Sequence, residues 1–221
     1  MLAMTTCAEI IAHLCTLANP ANVAGMSHFG INPKGTLGVS VPVLRKIGQT
    51  HRQNHALALE LWQSGVHEAR ILAALVADPA QVTSQQMEAW VSNFDSWDIC
   101  DGVCCNLFDK TPFARAKIKA WTRRHAEYVK RAGFVLMAAL AVHDKTAPDE
   151  LFLGFLPLIE REACDGRNFV RKAVNWALRQ IGKRNLHLRR AAIATARRIR
   201  AQNTSSARWI ATDALRELLD R

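Results

Sequence analysis

The 221-residue sequence lacks the features that mark membrane proteins and secreted proteins. No apolar run approaches the roughly 18 residues that a membrane-spanning helix needs. The segment from Met1 to Leu17 has no basic region, and Glu9 and His13 interrupt the apolar stretch that a signal peptide requires. The six cysteines are irregularly spaced and do not suggest a disulfide framework. We therefore expect a cytoplasmic protein with buried thiols and no membrane partner.

Strand patterns are also lacking. No stretch shows sustained alternation of apolar and polar residues, whereas apolar residues recur at spacings of three and four along almost the whole chain. The pattern predicts an all-α protein, with a first helix over residues 7–17 and a short helical region around residues 21–26. Glycine and proline are concentrated in one segment, Phe29–Pro42, which predicts a loop before a helix from Val43. Thr36 stands where a phosphate-binding loop requires Lys, so that motif is rejected.

An internal repeat is the main evidence for the fold. The sequence from Val129 to Ala132 (VKRA) returns 41 residues later as VRKA, and Ala211 lies another 41 residues further on. This period is typical of HEAT and armadillo repeats, in which two antiparallel helices form each unit. The sequence therefore predicts a right-handed α-α superhelix of HEAT-like helical pairs. We expect a single domain over 1–221, with N-terminal helices and the loop in 1–50 and stacked repeats in 51–221.

Positive charge is scarce in the first half of the chain. Residues 1–114 contain 6 Lys and Arg against 9 Asp and Glu, whereas residues 115–221 contain 23 against 10. The formal net charge of +10 is therefore wholly C-terminal. Such asymmetry indicates a polyanionic partner, and nucleic acid is favoured over an anionic membrane because no amphipathic anchor is evident. The alternative is a basic surface that only keeps the protein soluble.

Some of these cations recur at or near equivalent points of the repeats, the starts of the second helices. Stacking of the repeats would place them on one surface as a positive track, and the helix N-termini would add free N–H groups for phosphates. The five residues of this predicted track are Lys130, Arg131, Arg171, Lys172 and Arg208.

One short acidic and aromatic segment, DSWDICD, opens a helix with Asp95 or Ser96 as its cap. Trp97, Asp98 and Asp101 share a face, and Trp97 and Asp101 are stacked one turn apart. Two interpretations stay open, a core tryptophan beside a surface carboxylate or a functional pair. Asp98 is interpreted as an acid of the first helical turn rather than as a catalytic group.

No metal ligands or cofactor motif can be recognised. Cys100 and Cys104 are one turn apart, but no histidine lies at zinc-finger spacing from them and no second CxxC is present. The eight histidines form no HExxH motif. We expect neither a metal nor a cofactor. Four further tryptophans are interpreted as packing residues: Trp62, Trp90, Trp121 and Trp209.

Three motifs, FDSWDICD, YVKRAGF and FVRKAVNWALRQIGK, resemble in this order the DNA alkylation repair family of HEAT-like glycosylases of the AlkD type. A fourth segment, LGVSVPVLR, resembles another motif of that family, and the similarity extends from about Leu37 to about Lys183. The resemblance implies a catalytic carboxylate at Asp101, DNA-facing indoles at Trp97 and Trp176, and a phosphate contact at Arg131.

The resemblance also implies a reaction. The family excises cationic N3- and N7-alkylpurines from double-stranded DNA, as a step of base-excision repair, without base flipping. A cationic base needs no general acid to leave, and Asp101 would stabilise the positive charge on the deoxyribose and orient the attacking water. Trp97 and Trp176 would present π-faces to the same sugar. No lysine is suggested near Asp101, so we expect a monofunctional enzyme, and nothing calls for a partner subunit.

The sequence departs from the family at two places. Ser96 stands where family members often carry a second Trp, and an aromatic residue of their N-terminal helices has no clear counterpart, with Phe29 or His28 as substitutes. These departures keep open a HEAT-repeat protein that binds DNA structures without catalysis. A scaffold for protein partners is a third possibility, and its DNA affinity would depend weakly on salt.

Overall fold

The structure, a computed structural model, describes residues 6–220, and within that range all regular structure is helical. The chain divides into two compact units, the first ending at Thr111 and the second beginning at Pro112. The expectation of a single domain divided near residue 50 stays a prediction. Over residues 6–220, no helix combines the length and the apolar character needed to cross a membrane.

The first unit is arranged around a central helix, α5. It contains α1 (Cys7–Thr16), α2 (Pro20–His28), α3 (Val41–Gln49), α4 (His55–Gln63), α5 (His67–Val76), α6 (Ser84–Val91), α7 (Trp97–Asn106) and a short 3-10 helix (Phe108–Lys110). Helix α5 packs against α3, α4 and α7, and eight of its ten residues are buried. Beside it, the indoles of Trp62 and Trp90 stack in parallel, with ring centroids 4.1 Å apart. This arrangement puts the start of α7 against the start of α5.

The second unit has two layers of helices. It contains α8 (Ala114–Trp121), α9 (Glu127–His143), α10 (Asp149–Leu153), α11 (Leu156–Glu162), α12 (Asn168–Gly182), α13 (Leu186–Ala201) and α14 (Ser205–Leu219). Helices α9, α12 and α14 pack side by side, α9 against α12 and α12 against α14. The preceding helices cover them, because α8 packs on α9 and α13 packs on both α12 and α14. The predicted helical pairs are therefore present.

The repeat register differs from the predicted one in the last pair. Val129, Val170 and Ala207 are each the third residue of their helix, and all three are buried. The internal repeat of the sequence predicts Ala211 as the residue equivalent to Val129 and Val170. A shift of four residues is close to one helical turn, so Ala211 lies on the same buried face and produced the same pattern.

Helices begin where short polar side chains cap them. At α1, Thr6 and Glu9 form a capping box. At five other helices the cap side chain accepts a hydrogen bond from the backbone N–H three residues on, which typically contributes about 1 kcal/mol. These caps are Asn19, Asn54, Thr83, Asn185 and Thr204.

A buried carboxylate holds the loop between α2 and α3. Glu68 is fully buried and accepts hydrogen bonds from the backbone N–H groups of Leu37, Gly38 and Val39, at 2.9, 2.7 and 3.2 Å. Gly38 has φ 81°, and a Cβ at this position would clash with the carbonyl oxygen of Asn19. The predicted loop is thus ordered, and α3 begins two residues earlier than expected.

Candidate nucleic-acid interface

The start of α7 carries the residues that the sequence singled out. Trp97 is the first residue of the helix, and its indole is partly exposed. Its Nε1–H donates to the carbonyl oxygen of Phe29 at 3.2 Å, which ties the indole to the end of α2. Ser96 occupies the N-cap position as predicted, but its side chain does not cap the helix. Its hydroxyl is buried without a hydrogen-bond partner among the residues that the structure describes.

Asp98 tethers α7 to α5. Its Oδ2 lies 2.7 Å from Nε2 of His67, whose side chain is only 3% exposed. The second oxygen, Oδ1, is buried and finds no hydrogen-bond partner within residues 6–220. Both side chains lie in the first turn of their helices, so this contact fixes where the two helices begin relative to each other. The geometry agrees with a structural role for Asp98 rather than a catalytic one.

Asp101 is partly exposed and lies one helical turn after Trp97, as predicted. It precedes the buried thiol of Cys104. Burial, a hydrogen bond with Cys100 and the neighbouring charges, Asp101 among them, raise the pKa of the Cys104 thiol well above its ordinary value. A protonated, buried thiol is a poor nucleophile and a poor metal ligand. The Cys104 thiol is therefore not a candidate reactive group, and the catalytic role of Asp101 stays a prediction.

An open groove of about 650 Å³ adjoins the start of α7. Trp97 and Asp98 line one side of it, and α2 with the following loop lines the other. Most of the lining is apolar, including Met26, Phe29 and Val41. Phe29 is 71% exposed, so a large aromatic ring stands beside the partly exposed indole. The first unit thus offers aromatic surface beside the start of α7.

In the second unit, the predicted track of cations is only partly exposed to solvent. Lys130 and Arg131 lie at the start of α9, but Arg131 is 5% exposed and its Nη1 donates to the carbonyl oxygen of Phe169 at 2.6 Å. Lys130 forms ion pairs with Glu162 at 2.6 Å and with Asp165 at 3.1 Å. The expectation that these two residues lie on an open surface is therefore corrected. Their contact with DNA stays a prediction.

Asp165 is the centre of this partly buried ionic cluster. Its Oδ2 accepts from Lys130 and, at 2.6 Å, from Nη2 of Arg167. Its Oδ1 accepts from the backbone N–H and from Nε of Arg167. The bonds from Arg167, with those from Lys130, lower the pKa of Asp165 to about 2. Glu162 beside it also has a lowered pKa, because the hydrogen bonds from Lys130 and Arg161 outweigh its desolvation.

The remaining three cations of the track lie at the starts of α12 and α14. Lys172 is exposed, and its side chain makes no hydrogen bond or ion pair with the described part of the chain. Arg208 is exposed and donates a hydrogen bond to the side chain of Asn203, which precedes α14. Arg171 is half-buried, and its guanidinium carbon lies 5.0 Å from the ring centroid of Trp209. Lys172 and Arg208 are therefore the cations of the track that solvent reaches most freely.

Trp176 lies on the same face of α12 as Lys172, one turn further along the helix. Its indole is partly exposed. The next cations on this face, Arg179 and Lys183, are paired with Glu217 of α14. The uncompensated part of the face is thus Lys172 with Trp176, a cation beside an aromatic surface.

Trp209 is a candidate DNA contact, although its sequence context indicated a packing residue. Trp62, Trp90 and Trp121 are 7%, 3% and 0% exposed, as expected of packing residues, whereas Trp209 is 37% exposed. It is the fifth residue of α14, as Arg131 is of α9 and as Lys172 is of α12. In the correct repeat register, the sequence aligns Trp209 with Arg131 and Lys172 and so indicates a candidate contact.

Comparison with known proteins identifies a family and a fold. The sequence model of a family described as DNA alkylation repair enzyme matches residues 10–218. Among curated proteins, none matches the sequence. One solved structure, from "a new family of proteins related to the HEAT-like repeat DNA glycosylases with affinity for branched DNA structures", superimposes with a TM-score of 0.78. The sequences are 17% identical, and the match covers 97% of this chain and 96% of that one. At this identity the likeness shows the fold, and the predicted all-α, HEAT-like class is confirmed.

Proposed function

We propose, on the premise that the chain belongs to the DNA alkylation repair enzyme family, that it is a monofunctional DNA glycosylase. Its substrate would be a cationic N3- or N7-alkylated purine in duplex DNA, and the products would be the free base and an abasic site. The observation that carries the proposal is the start of α7, where Trp97 and Asp101 are both partly exposed one turn apart and Trp97 lines an open groove.

The proposed chemistry needs one carboxylate. An alkylated purine already carries a positive charge, so the glycosyl bond breaks without protonation of the base by the enzyme. Positive charge then develops on the deoxyribose, and the ionised Asp101 stabilises it. The same carboxylate orients a water molecule, whose oxygen bonds to the sugar carbon and whose proton passes to solvent. No lysine takes part, so we expect no Schiff base that borohydride could trap.

The aromatic and cationic side chains would hold the DNA. Trp97 and Trp176 would offer π-faces to the cationic sugar and to the backbone beside it. Lys172 and Arg208 are exposed and would neutralise phosphates, and the exposed Trp209 would add a third indole. Arg131 and Lys130 would act mainly by fixing the starts of α9 and α12, because their charged groups already have protein partners.

The decisive experiment measures base release from a methylated duplex under single-turnover conditions. Asp101→Asn keeps the size of the side chain and removes its charge, and we expect release to slow by about 100-fold or more. Duplex affinity should change little, because the carboxylate acts on a charge that develops in the transition state. Asp95→Asn is the matched control, since Asp95 is exposed and precedes the helix. Release by Asp101→Asn at the wild-type rate would refute the assignment.

A second function, structure-specific DNA binding without catalysis, has one observation of its own. The solved relative in the comparison is described by its affinity for branched DNA, and this chain shares its fold over almost its whole length. Wild-type protein that binds a four-way junction tightly but releases no base from any methylated duplex would establish this function instead. A protein-binding scaffold would show DNA affinity that hardly changes with salt. Monomeric state and cytoplasmic location stay predictions.

A further inference from the structure

We propose that the outer face of α13 is a second DNA-binding surface, which receives another duplex arm when the protein binds branched DNA. The inference rests on the proposed function only in that the chain binds DNA. It does not require that the chain release bases.

The composition of α13 is the first observation. The helix carries five arginines and no acidic residue between Leu186 and Ala201. Arg198 is paired with Glu160 at 2.9 Å. The side chains of the other four form no hydrogen bond or ion pair with any residue in the range 6–220. These four are Arg189, Arg190, Arg197 and Arg200.

Two cations of the neighbouring helix α12 are compensated by an acidic residue. Arg179 and Lys183 of α12 are both paired with Glu217 of α14. On α13, in contrast, Arg197 and Arg200 lie three residues apart with like charge, an arrangement that destabilises a helix by a few tenths of a kcal/mol. The helix dipole favours Arg200 in the last turn, but Arg190 and Arg197 have no ion-pair partner among the described residues, and a polyanionic partner would neutralise them.

The geometry of α13 directs these arginines outward. Its buried stripe includes Leu188, Ala192 and Ile199, which pack on the α12 and α14 side. By helical spacing, Arg190 and Arg197 lie on the opposite side, two turns or roughly 10 Å apart. Arg190, Arg197 and Arg200 are exposed. The helix is about 24 Å long, which is enough for contacts to several successive phosphates.

This face points away from the cations of the predicted track. Lys172 and Arg208 lie on α12 and α14, the layer that α13 covers. Duplex DNA is stiff over about 150 base pairs, so one short linear duplex does not reach both sides of a two-layer unit. A branched molecule has arms that diverge from one point. It can place one arm along the predicted track and another along α13.

The residue types favour DNA over a membrane surface. All five cations of α13 are arginine, whose planar guanidinium binds phosphate oxygens in pairs. A helix that lies on a membrane presents large apolar side chains beside its cations. On α13 the apolar stripe is used in the core, and Leu186 at the first position is its only large apolar residue more than a third exposed.

The test compares binding of an unmodified four-way junction with binding of a linear duplex of the same total length. In Arg190→Gln/Arg197→Gln we expect junction affinity to fall about tenfold or more at low salt. The slope of log affinity against log salt should fall by about 2 for the junction, because two phosphate contacts are lost. Affinity for the linear duplex should change by less than about twofold. Lys119→Gln/Lys145→Gln is the control, since it removes the same charge from exposed positions elsewhere in the unit.

Four results would overturn the inference. One is wild-type protein that does not prefer the junction, another is an equal loss of affinity for both DNA molecules, and a third is the same loss in the control. Anionic vesicles are tested in parallel, and a variant that loses only vesicle binding also overturns it. Base release by the wild-type protein from a linear methylated duplex is measured separately. Its absence, with an arginine-dependent junction preference, would refute the glycosylase and leave the second surface standing.

Discussion

At the scale of single residues, one buried charge maintains the loop beside the candidate site. The carboxylate of Glu68 is the acceptor for three consecutive backbone N–H groups, and water does not reach it. In Glu68→Gln the amide would present an NH₂ group or a weaker acceptor to these donors. We expect the free energy of unfolding to fall by about 3 kcal/mol, as measured by urea denaturation.

Glu60→Gln is the matched variant for this measurement. Glu60 is exposed on α4, and the loss of one surface charge usually changes stability by less than about 0.5 kcal/mol. If Glu68→Gln proves as stable as Glu60→Gln, the carboxylate does not hold the loop.

The residues of the candidate site were only partly predictable. Helical spacing alone put Trp97 and Asp101 on one face of α7, and both are partly exposed there. The partners of the neighbouring residues were not readable from local sequence. Trp97 donates to a carbonyl 68 residues away, and Asp98 meets a histidine 31 residues away. Such long-range contacts depend on how the helices pack, which a local pattern does not specify.

At the scale of helices, the cations at equivalent positions near the starts of α9 and α12 differ in burial and in contacts. Arg131 is buried against α12, whereas Lys172 faces solvent. We expect Arg131→Gln to lower the free energy of unfolding by about 2 kcal/mol, because the carbonyl group of Phe169 loses its donor. Lys172→Gln should leave stability within about 0.5 kcal/mol and reduce the salt slope of DNA affinity by about 1.

Both variants are measured by urea denaturation and by DNA binding at several salt concentrations. An Arg131→Gln protein of wild-type stability with weakened DNA binding would show that Arg131 contacts phosphate after all.

The sequence indicated the helices better than it indicated the exposure of their side chains. Apolar spacing of three and four, with capping residues, predicts four helix starts, near residues 7, 21, 43 and 97, and each lies within about two residues of the observed start. A lysine or arginine at a helix start looks the same whether it faces solvent or an adjacent helix. The burial of Arg131 follows from close packing of α9 on α12, and the exposure of Trp209 follows from its place on α14. Neither was predictable without the packing.

At the scale of the whole molecule, acid stability should depend on the cluster around Asp165. The carboxyl group has a pKa of about 2 in the folded protein, below its ordinary value of 3.8. The stabilisation is therefore complete above about pH 4 and is lost as the pH falls toward 2. The lowered pKa corresponds to a linked free energy on the order of 2 kcal/mol. Solvent screens it little, because the side chain is only 11% exposed.

Urea denaturation at pH 6 and pH 3 measures this effect. Wild type should lose more stability between these values than Asp165→Asn, which should be less stable at pH 6. Parallel losses in the two proteins would show that other carboxyl groups determine the acid sensitivity.

The fold class was the most predictable property of the molecule. A repeat near 41 residues indicated helical pairs, and three motifs indicated the family, because both are periodic or local features of the sequence. The division into two compact units after Thr111 was not predicted. It arises from the distribution of contacts along the chain, and no glycine- or proline-rich linker marks it.

The parallel pair of Trp62 and Trp90 gives the first unit an optical signature of its own. We expect the coupled electronic transitions of two indoles stacked 4.1 Å apart in nearly parallel planes to give circular dichroism bands of their own. The bands vanish when the rings separate, even if helices elsewhere persist. Melting of the first unit can therefore be recorded within the intact chain, without a label or a truncated fragment.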